Sequence, residues 1–295
     1  MTEPLIVFGS PASQPSRTVY WVCLLAGIPF KLGLREDLEP GESNPRIQVP
    51  WIKDDDFILT EMAAIACYLA DKHEAYDLYP TDIQARARIN QFLHMHHSLV
   101  RGATRKLMMP PVVKPLRSSY SFTAMNEVLI ADSIKVAWEA SEPLKSGGKA
   151  VHTIARFLEE SYFTSDTPYV CQTRLPSLAD LICYAELGQL PFANLFTFVD
   201  YPLIQRWLEA MTEVPFFETI HAFNITLGDI VSSPNSLERM APALDAGVKA
   251  LHATGLVTNS SATFREMVLT ASYKIIVCPN FQISYCYEWN ILTYP

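Results

Sequence analysis

Short apolar runs alternate with a helical pattern at the start of the chain. Apolar residues 5–8 and the alternating residues 30–34 predict two strands. Between them, apolar side chains recur at helical spacing over residues 18–26, and Gly27 ends the pattern. Because a strand, a helix and a second strand follow one another, the sequence predicts a βαβ unit at the start of an α/β domain.

A β-hairpin is predicted next. Apolar runs at residues 47–53 and 57–59 flank three aspartates, so the acidic side chains occupy the turn. Pro50 has no backbone N–H group, which places it at a strand start or a sheet edge. The bond between Val49 and Pro50 is a candidate cis peptide.

Helical patterns follow for most of the remaining chain. Residues 62–72 show an apolar stripe, and Thr60 is predicted to cap that helix. Ser177 and Asp180 have the spacing of a capping box. Beyond a linker at residues 76–82, the predicted helices are residues 83–109, 121–140, 149–163, 177–190, 202–212 and 216–227.

The change of pattern divides the chain into three regions. Residues 1–76 are predicted to form the α/β domain, and residues 82–227 an all-helical domain. Residues 228–295 form a C-terminal extension whose structure the pattern leaves open: residues 235–255 have a helical stripe, whereas residues 259–295 are aromatic and strand-like.

Composition narrows the class of protein. The chain has 295 residues, 49% of them hydrophobic, which is enough for two domains with sizeable cores. A formal net charge of −8 argues against nucleic acid and anionic membrane surfaces as partners. Six scattered cysteines without a C-x-x-C pair argue against zinc and against a disulfide framework. No signal peptide or membrane-spanning run is recognised, so we expect a cytoplasmic protein.

Residues 9–17 connect the first strand to the first helix and include three serines. The first free N–H groups of a helix favour an anion. A serine hydroxyl at that place can donate a hydrogen bond to a thiolate, a phosphate or a carboxylate. Taken alone, the stretch favours a plain helix N-cap, because serine is among the best capping residues.

Taken together, the motifs resemble those of a cytosolic glutathione transferase, above all of the theta class. The matching residues are Ser13-Gln14-Pro15-Ser16-Arg17, Ala26-Gly27-Ile28-Pro29-Phe30, Val49-Pro50, Phe57-Ile58-Leu59-Thr60-Glu61, Ala64-Ile65, Tyr68-Leu69, Tyr79-Pro80-Thr81-Asp82, Gln84-Ala85-Arg86-Ala87-Arg88 and Ser177-Leu178-Ala179-Asp180-Leu181. The resemblance covers residues 5 to about 225. It implies a thioredoxin-like N-terminal domain followed by an all-helical C-terminal domain, usually as a homodimer. It also implies glutathione as cosubstrate, a small electrophile as substrate and no metal.

For the sulfur end of glutathione, the resemblance implies roles for Ser13 and Gln14. The Ser13 hydroxyl would hydrogen-bond the glutathione sulfur, and Gln14 would belong to the glutathione-binding residues. A thiol with a pKa near 8.5 is mostly protonated at neutral pH. A hydroxyl donor and a helix N-terminus favour the thiolate, which then attacks an electrophilic carbon. Ser13 would stabilise this anion and would not act as a general base.

For the rest of glutathione, the resemblance implies five further residues. Val49 and Pro50 are similar to the family's Val–cis-Pro pair, whose backbone meets the peptide. Glu61 matches the acid that meets the γ-glutamyl amino group, and the backbone N–H of Met62 stands in the adjoining place. Arg101 matches a basic residue on the substrate side.

Three departures from the family pattern predict weaker glutathione binding. Residues 35–45 are too short for the helix that supplies a basic contact, Met62 replaces a serine, and Ser98 stands where an acid is expected. The alternative function is therefore a non-catalytic binding or regulatory protein with a degraded glutathione site. A thiol–disulfide oxidoreductase is disfavoured, because residues 10–13 contain no cysteine. His94 and His97 have a spacing that metals use, but no acid or cysteine accompanies them.

Overall fold

The computed structural model describes residues 4–33, 37, 49–108, 142–233 and 235–259. Four strands form one sheet in the order β2-β1-β3-β4. They are β1 (Leu5–Phe8), β2 (Phe30–Leu32), β3 (Trp51–Asp54) and β4 (Phe57–Thr60). β1 is parallel to β2, while β3 is antiparallel to both β1 and β4. The predicted βαβ unit and the predicted hairpin are both confirmed, and the Val49–Pro50 bond is cis.

The first helix, α1 (Gln14–Leu25), begins one turn earlier than its apolar stripe predicts. Ser13 is its N-cap, and Pro15 lies in its first turn. The polar residues Ser16 and Arg17 are buried although they look like loop residues in the sequence. They are buried because α1 packs between the sheet and the helical region, whereas Gln14 in the same turn is only half-buried.

The second helix, α2 (Met62–Lys72), follows β4 directly. The predicted cap by Thr60 is wrong, because Thr60 pairs with Trp51 in the β-ladder and its backbone is extended. Glu61 is the N-cap residue instead, with φ of 72° and ψ of 113° and without a capping bond from its side chain. A positive φ is costly for a non-glycine residue, and such strain is often found at functional sites.

The remaining helices confirm an all-helical second region. They are α3 (Ile83–Ser98), α4 (Val100–Met108), α5 (Glu142–Ser161), α6 (Leu178–Leu187), α7 (Gln189–Phe192), α8 (Pro202–Thr212), α9 (Phe217–Leu227) and α10 (Leu237–Ala253). The predicted helix at residues 83–109 is two helices that meet at Leu99, and the one at residues 177–190 is divided at Gly188. The predicted helix at residues 121–140 lies outside the described residues.

Asp180 holds the start of α6, as the capping box predicts. Its carboxylate accepts hydrogen bonds from the backbone N–H and the hydroxyl of Ser177, each at 2.8 Å. The backbone N–H of Val170 at 2.8 Å and the Trp207 Nε1–H at 3.0 Å also donate to it. Burial raises the pKa of Asp180, and these four donors oppose that shift. The carboxylate therefore joins three separate segments inside the core.

One hydrophobic core extends through both regions and joins them. Trp21 of α1 is fully buried, and its Nε1–H donates to the Pro215 carbonyl at 2.8 Å. Its ring packs edge-on against Tyr184 of α6 and Phe217 of α9. The linker joins the regions as well, because the N–H of Leu178 donates to the Leu78 carbonyl at 2.9 Å.

Residues 256–259 pair with the outer edge of β2. The N–H of Phe30 donates to the Leu256 carbonyl at 3.0 Å, and the Thr258 N–H donates to the Phe30 carbonyl at 2.9 Å. The Asn259 side chain closes the pairing with two bonds to the backbone of Leu32. This segment therefore covers the edge of the sheet, while the remainder of the predicted aromatic tail lies outside the described residues.

We expect a chain that ends at Asn259 to fold, because it keeps both regions and the pairing with β2. A chain that ends at Thr254 loses five hydrogen bonds to β2, each contributing about 0.5–1.5 kcal/mol. Its unfolding free energy should fall by about 2–7 kcal/mol in urea titrations followed by circular dichroism. If the chain ending at Asn259 precipitates while the full chain stays in solution, the later residues are needed for folding.

Candidate active site

The Ser13 hydroxyl stands at the N-terminus of α1. Its Oγ accepts a hydrogen bond from the Ser16 N–H at 3.4 Å, and the residue is half-buried. A hydroxyl that accepts one bond still has its own proton to donate. Ser10 lies one turn earlier in the loop, where its carbonyl accepts from the Ser13 N–H at 2.9 Å. Both hydroxyls are thus candidates for contact with an anion.

The third serine of this stretch, Ser16, is excluded from the surface. It is fully buried, and a Cβ placed on Gly9 would lie 2.8 Å from its Oγ. Only a glycine at position 9 allows the loop to pass so close to α1. Burial of Ser16 leaves Ser10 and Ser13 as the hydroxyls that a ligand can reach.

Five of the seven predicted site residues line one cleft of about 100 Å³ between the two regions. They are Val49, Pro50, Glu61, Met62 and Arg101. The first four lie around the hairpin and the start of α2, and Arg101 comes from the first turn of α4. Residues 49–62 and α4 are far apart in the chain, so the fold has to bring them together.

The two other predicted residues lie at the start of α1, next to this cleft. Pro15, the second residue of α1, lines the cleft, while Gln14 lines a smaller cavity of about 30 Å³. That cavity is also bounded by Phe192 of α7 and Phe223 of α9. Ser13 directly precedes these two residues and is half-buried, but it is not among the described residues that line either space.

Arg101 is held in the cleft by a buried carboxylate. Its guanidinium donates to Glu186 Oε1 at 2.5 Å, and the Thr104 hydroxyl donates to Glu186 Oε2 at 2.7 Å. Glu186 is buried within α6, so its carboxylate is shielded from water, while the Arg101 side chain is 28% exposed. The sequence does not predict the role of Glu186, which lies in an otherwise apolar helix.

Arg17 connects the serine loop to the helical region. Its guanidinium donates to the Pro11 carbonyl at 2.9 Å, to the Ala185 carbonyl at 3.3 Å and to Gln189 Oε1 at 3.2 Å. Burial lowers the pKa of Arg17 to about 10, and Glu186 opposes the shift, so the side chain stays charged at neutral pH. Since Pro11 lies two residues before Ser13, these bonds help to fix the position of the Ser13 hydroxyl.

The structure adds two findings about ligands and membranes. Across the described ranges, no three His, Cys, Asp or Glu side chains lie together as a metal site would need. In the same ranges, none of the helices has the length and hydrophobicity to cross a membrane.

Comparisons with known proteins identify the family. The model for the glutathione S-transferase N-terminal domain matches residues 7–77. Rat glutathione S-transferase theta-2 is 30% identical over 205 residues, which cover 67% of this chain and 76% of the rat protein. Chicken glutathione S-transferase theta-1 is 29% identical over 265 residues, covering 79% and 94%. The chain therefore belongs to the glutathione S-transferase family, and within it the chain is close to the theta class.

Solved structures support the same assignment. Human glutathione transferase theta-2, in complex with glutathione and an unknown ligand, matches with a TM-score of 0.58 and 26% identity. The match covers 84% of this chain and 98% of the human one. Another structure of a human theta-class enzyme, bound to the glutathione conjugate of 1-menaphthyl sulfate, matches with a TM-score of 0.58 and 25% identity. The predicted family and the predicted two-part fold are thus confirmed, whereas the domain limits and the roles of single residues stay predictions.

Proposed function

We propose that the protein conjugates glutathione to small electrophiles and that the Ser13 hydroxyl stabilises the glutathione thiolate. One observation carries this proposal. The Ser13 hydroxyl stands at the N-terminus of α1, and Pro15, two residues later, lines the cleft that contains the cis Val49–Pro50 bond and Glu61. Glutathione in the human theta-2 complex and the glutathione conjugate in the other theta-class structure support the same cosubstrate here.

The proposed chemistry requires the thiolate of glutathione, and the role of the protein is to stabilise that thiolate. The Ser13 hydroxyl donates to the sulfur, and the helix N-terminus favours the negative charge, so the pKa of the bound thiol falls. The thiol proton leaves to solvent. The sulfur lone pair then forms the bond to the electrophilic carbon as the leaving group departs with its electrons. No metal takes part in this scheme.

The rest of glutathione would lie along the cleft. The backbone of Val49 and Pro50 would meet the peptide, and Glu61 would receive the γ-glutamyl ammonium. The strained backbone of Glu61 supports such a role, because a φ of 72° is costly for this residue and Glu61 lines the cleft. Gln14 and Arg101 would complete the binding residues, with Arg101 oriented by Glu186.

The rival is a non-catalytic protein that binds glutathione through an altered site, since Met62 lacks a side-chain donor. Titration calorimetry with glutathione, followed by turnover with an activated aryl or benzyl halide, separates the two functions. Binding with turnover supports the proposal. Binding without turnover across a panel of halides favours the rival, and absence of binding contradicts both.

We also propose that the protein acts in the cytoplasm, in contact with no membrane or nucleic acid. The free thiols of Cys23, Cys67, Cys171 and Cys183 support a reducing compartment. The net charge of −8 disfavours polyanions as partners.

A homodimer is the expected assembly, as the family resemblance implies. Exposed apolar side chains support it: Phe57 and Ile58 on the edge strand β4 are 46% and 44% exposed, and Ile83 at the start of α3 is 83% exposed. Light scattering at micromolar concentration should give twice the chain mass of 33.2 kDa. The double change Phe57→Ser with Ile58→Ser should shift the mass toward that of the monomer.

Val199→Ser is the matched control, because Val199 is also exposed but lies in the loop before α8. It should leave the mass unchanged. A wild-type protein that is monomeric at all tested concentrations would contradict the dimer.

A further inference from the structure

Arg17 brings a positive charge into the core at the first turn of α1. The residue is 1% exposed, and its backbone N–H donates to the Ser13 carbonyl at 3.0 Å. All three hydrogen bonds of its guanidinium end on uncharged oxygens, those of Pro11, Ala185 and Gln189. Among the described residues, no carboxylate forms an ion pair with it. A buried charge without a counter-ion acts strongly on other charges nearby, because little water screens it.

The charged groups around Arg17 leave this positive charge uncompensated. Glu186 is close enough to raise the pKa of Arg17, but its carboxylate pairs with Arg101. Taken together, these three side chains carry one net positive charge. His221 of α9 also faces Arg17, and it adds no charge at neutral pH. Burial holds the pKa of His221 well below its ordinary value, and the charge of Arg17 lowers it further.

The guanidinium lies close to Ser13. It is 2.9 Å from the Pro11 carbonyl oxygen. Two residues of chain span at most about 7 Å, so the guanidinium is within about 10 Å of the Ser13 backbone. Gln189, one of its three acceptors, lines the cavity of about 30 Å³ together with Ala12 and Gln14, the two neighbours of Ser13. The rest of that cavity wall is mostly apolar, which keeps the screening of charges there weak.

We propose that the buried positive charge of Arg17 stabilises the glutathione thiolate held at Ser13. This inference rests on the proposed function, because it takes the thiol of glutathione as the group beside Ser13. Arg17 acts through its electric field and makes no contact with the sulfur in this scheme. A unit charge at about 10 Å shifts a pKa by about one unit where the effective dielectric constant is about 20. Since a positive charge favours the anion, Arg17 lowers the pKa of the bound thiol.

The test changes the charge near Ser13 in two independent ways. Arg17→Met removes the charge, whereas Arg17→Lys keeps it with fewer hydrogen bonds. Gln189→Glu retains Arg17 and places a carboxylate beside its guanidinium, so it cancels the charge even if Arg17→Met does not fold, as judged by circular dichroism. Two controls accompany these variants. Gln189→Met alters the cavity without adding a charge, and Gln84→Glu adds the same acid on the exposed first turn of α3.

Each protein is saturated with glutathione, and the thiolate absorbance is titrated between about pH 5 and about pH 9. Arg17 stays charged over this range, since its pKa is about 10. We expect the pKa of the bound thiol to rise by about one unit in Arg17→Met and in Gln189→Glu. In Arg17→Lys and in both controls it should stay within a few tenths of a unit of the wild type.

The pH dependence of the conjugation rate gives a second measure that a purely structural role would not change. At about pH 6 and with both substrates saturating, the rate should fall by up to about tenfold in Arg17→Met and in Gln189→Glu. Above the raised pKa the difference from the wild type should shrink, because the thiolate then forms in every protein. A structural disturbance would instead lower the rate by a similar factor at every pH.

Four results would overturn the inference. An unchanged thiol pKa in Arg17→Met, or in Gln189→Glu where Arg17→Met does not fold, leaves the proposed function intact. An equal rise in Arg17→Lys and Arg17→Met would assign the effect to the lost hydrogen bonds. A similar rise in Gln84→Glu would show that the effect is not local to Ser13. A wild type whose bound thiol titrates like that of free glutathione contradicts the proposed role of Ser13 as well.

Discussion

Replacement of Asp180 by alanine is expected to lower the free energy of unfolding by about 4 kcal/mol or more. The change removes the acceptor of four hydrogen bonds, two from Ser177, one from Val170 and one from Trp207. Each buried donor left without a partner costs about 1–3 kcal/mol. Removing the charge returns part of this cost, because the carboxylate was itself buried. Urea unfolding followed by circular dichroism measures the difference.

Asp82→Ala is the matched control for this loss. Asp82 also caps a helix, but within the described part of the chain its carboxylate accepts one hydrogen bond, from the Ala85 N–H at 2.8 Å on the exposed surface. Loss of such a cap costs about 1 kcal/mol. If Asp180→Ala is no more destabilising than Asp82→Ala, then the bonds to Val170 and Trp207 contribute nothing measurable.

The order of elements was predictable because it follows from local patterns. Three features are each recognisable from a short stretch of sequence: the strand pair around α1, the hairpin with its acidic turn and the capping box at Ser177. The structure confirms all three. The helix breaks at Leu99 and Gly188 were not predictable. The helical spacing of apolar residues continues through both positions, although the backbone changes direction there. At Gly188, a Cβ would lie 2.4 Å from the Tyr184 ring, a contact that only the folded chain reveals.

The site residues were predictable where they belong to a short sequence motif. Ser13, Val49, Pro50 and Glu61 belong to such motifs. The structure places Val49, Pro50 and Glu61 around one cleft and Ser13 at the N-cap of α1. The supporting polar residues have no such signal. Arg17, Glu186 and His96 are charged or titratable residues within helices, where sequence patterns predict exposure. Only tertiary packing buries them, so only the structure shows that they surround the site.

The pairing of residues 256–259 with β2 was not predictable from the sequence either. In the sequence this segment belongs to an extension whose structure the pattern leaves open, because four residues give no strand pattern. The structure shows it bonded to Phe30 and Leu32 on the edge of the sheet. Just before it, Gly247 of α10 lies so close to the serine loop that a Cβ there would be 2.5 Å from Pro11. The C-terminal region therefore packs against the loop that leads to Ser13.

Replacement of Ser13 by alanine is expected to lower the rate of conjugation by at least tenfold, whereas Ser10→Ala should change it little. The hydroxyl of Ser13 stands at the helix N-cap, and losing a hydrogen bond to a charged sulfur costs about 1.5–3 kcal/mol. That loss corresponds to roughly ten- to a hundredfold in rate. Ser10 lies further from the free N–H groups of α1, and its Oγ accepts from the Ala12 N–H at 3.3 Å within the loop.

Three measurements on the two variants test the assignment. The first is kcat with a saturating electrophile, and the second is glutathione affinity by calorimetry, which should change little in either variant. The third is the pH titration of the thiolate absorbance of bound glutathione. In Ser13→Ala the pKa of the bound thiol should rise by about one to two units, because one unit corresponds to about 1.4 kcal/mol of lost preference for the thiolate.

The free energy of unfolding of both variants must also be measured, because Ser13 caps α1 and its replacement can destabilise the protein. Loss of the cap alone should cost about 0.5–2 kcal/mol in urea unfolding, and this cost is independent of the bound ligand. A Ser13→Ala protein that is less stable but has unchanged kcat and an unchanged thiolate pKa would show that Ser13 is a cap only. A larger rate loss in Ser10→Ala than in Ser13→Ala would assign the sulfur contact to Ser10, since both hydroxyls lie in the same loop and only one need face the thiolate.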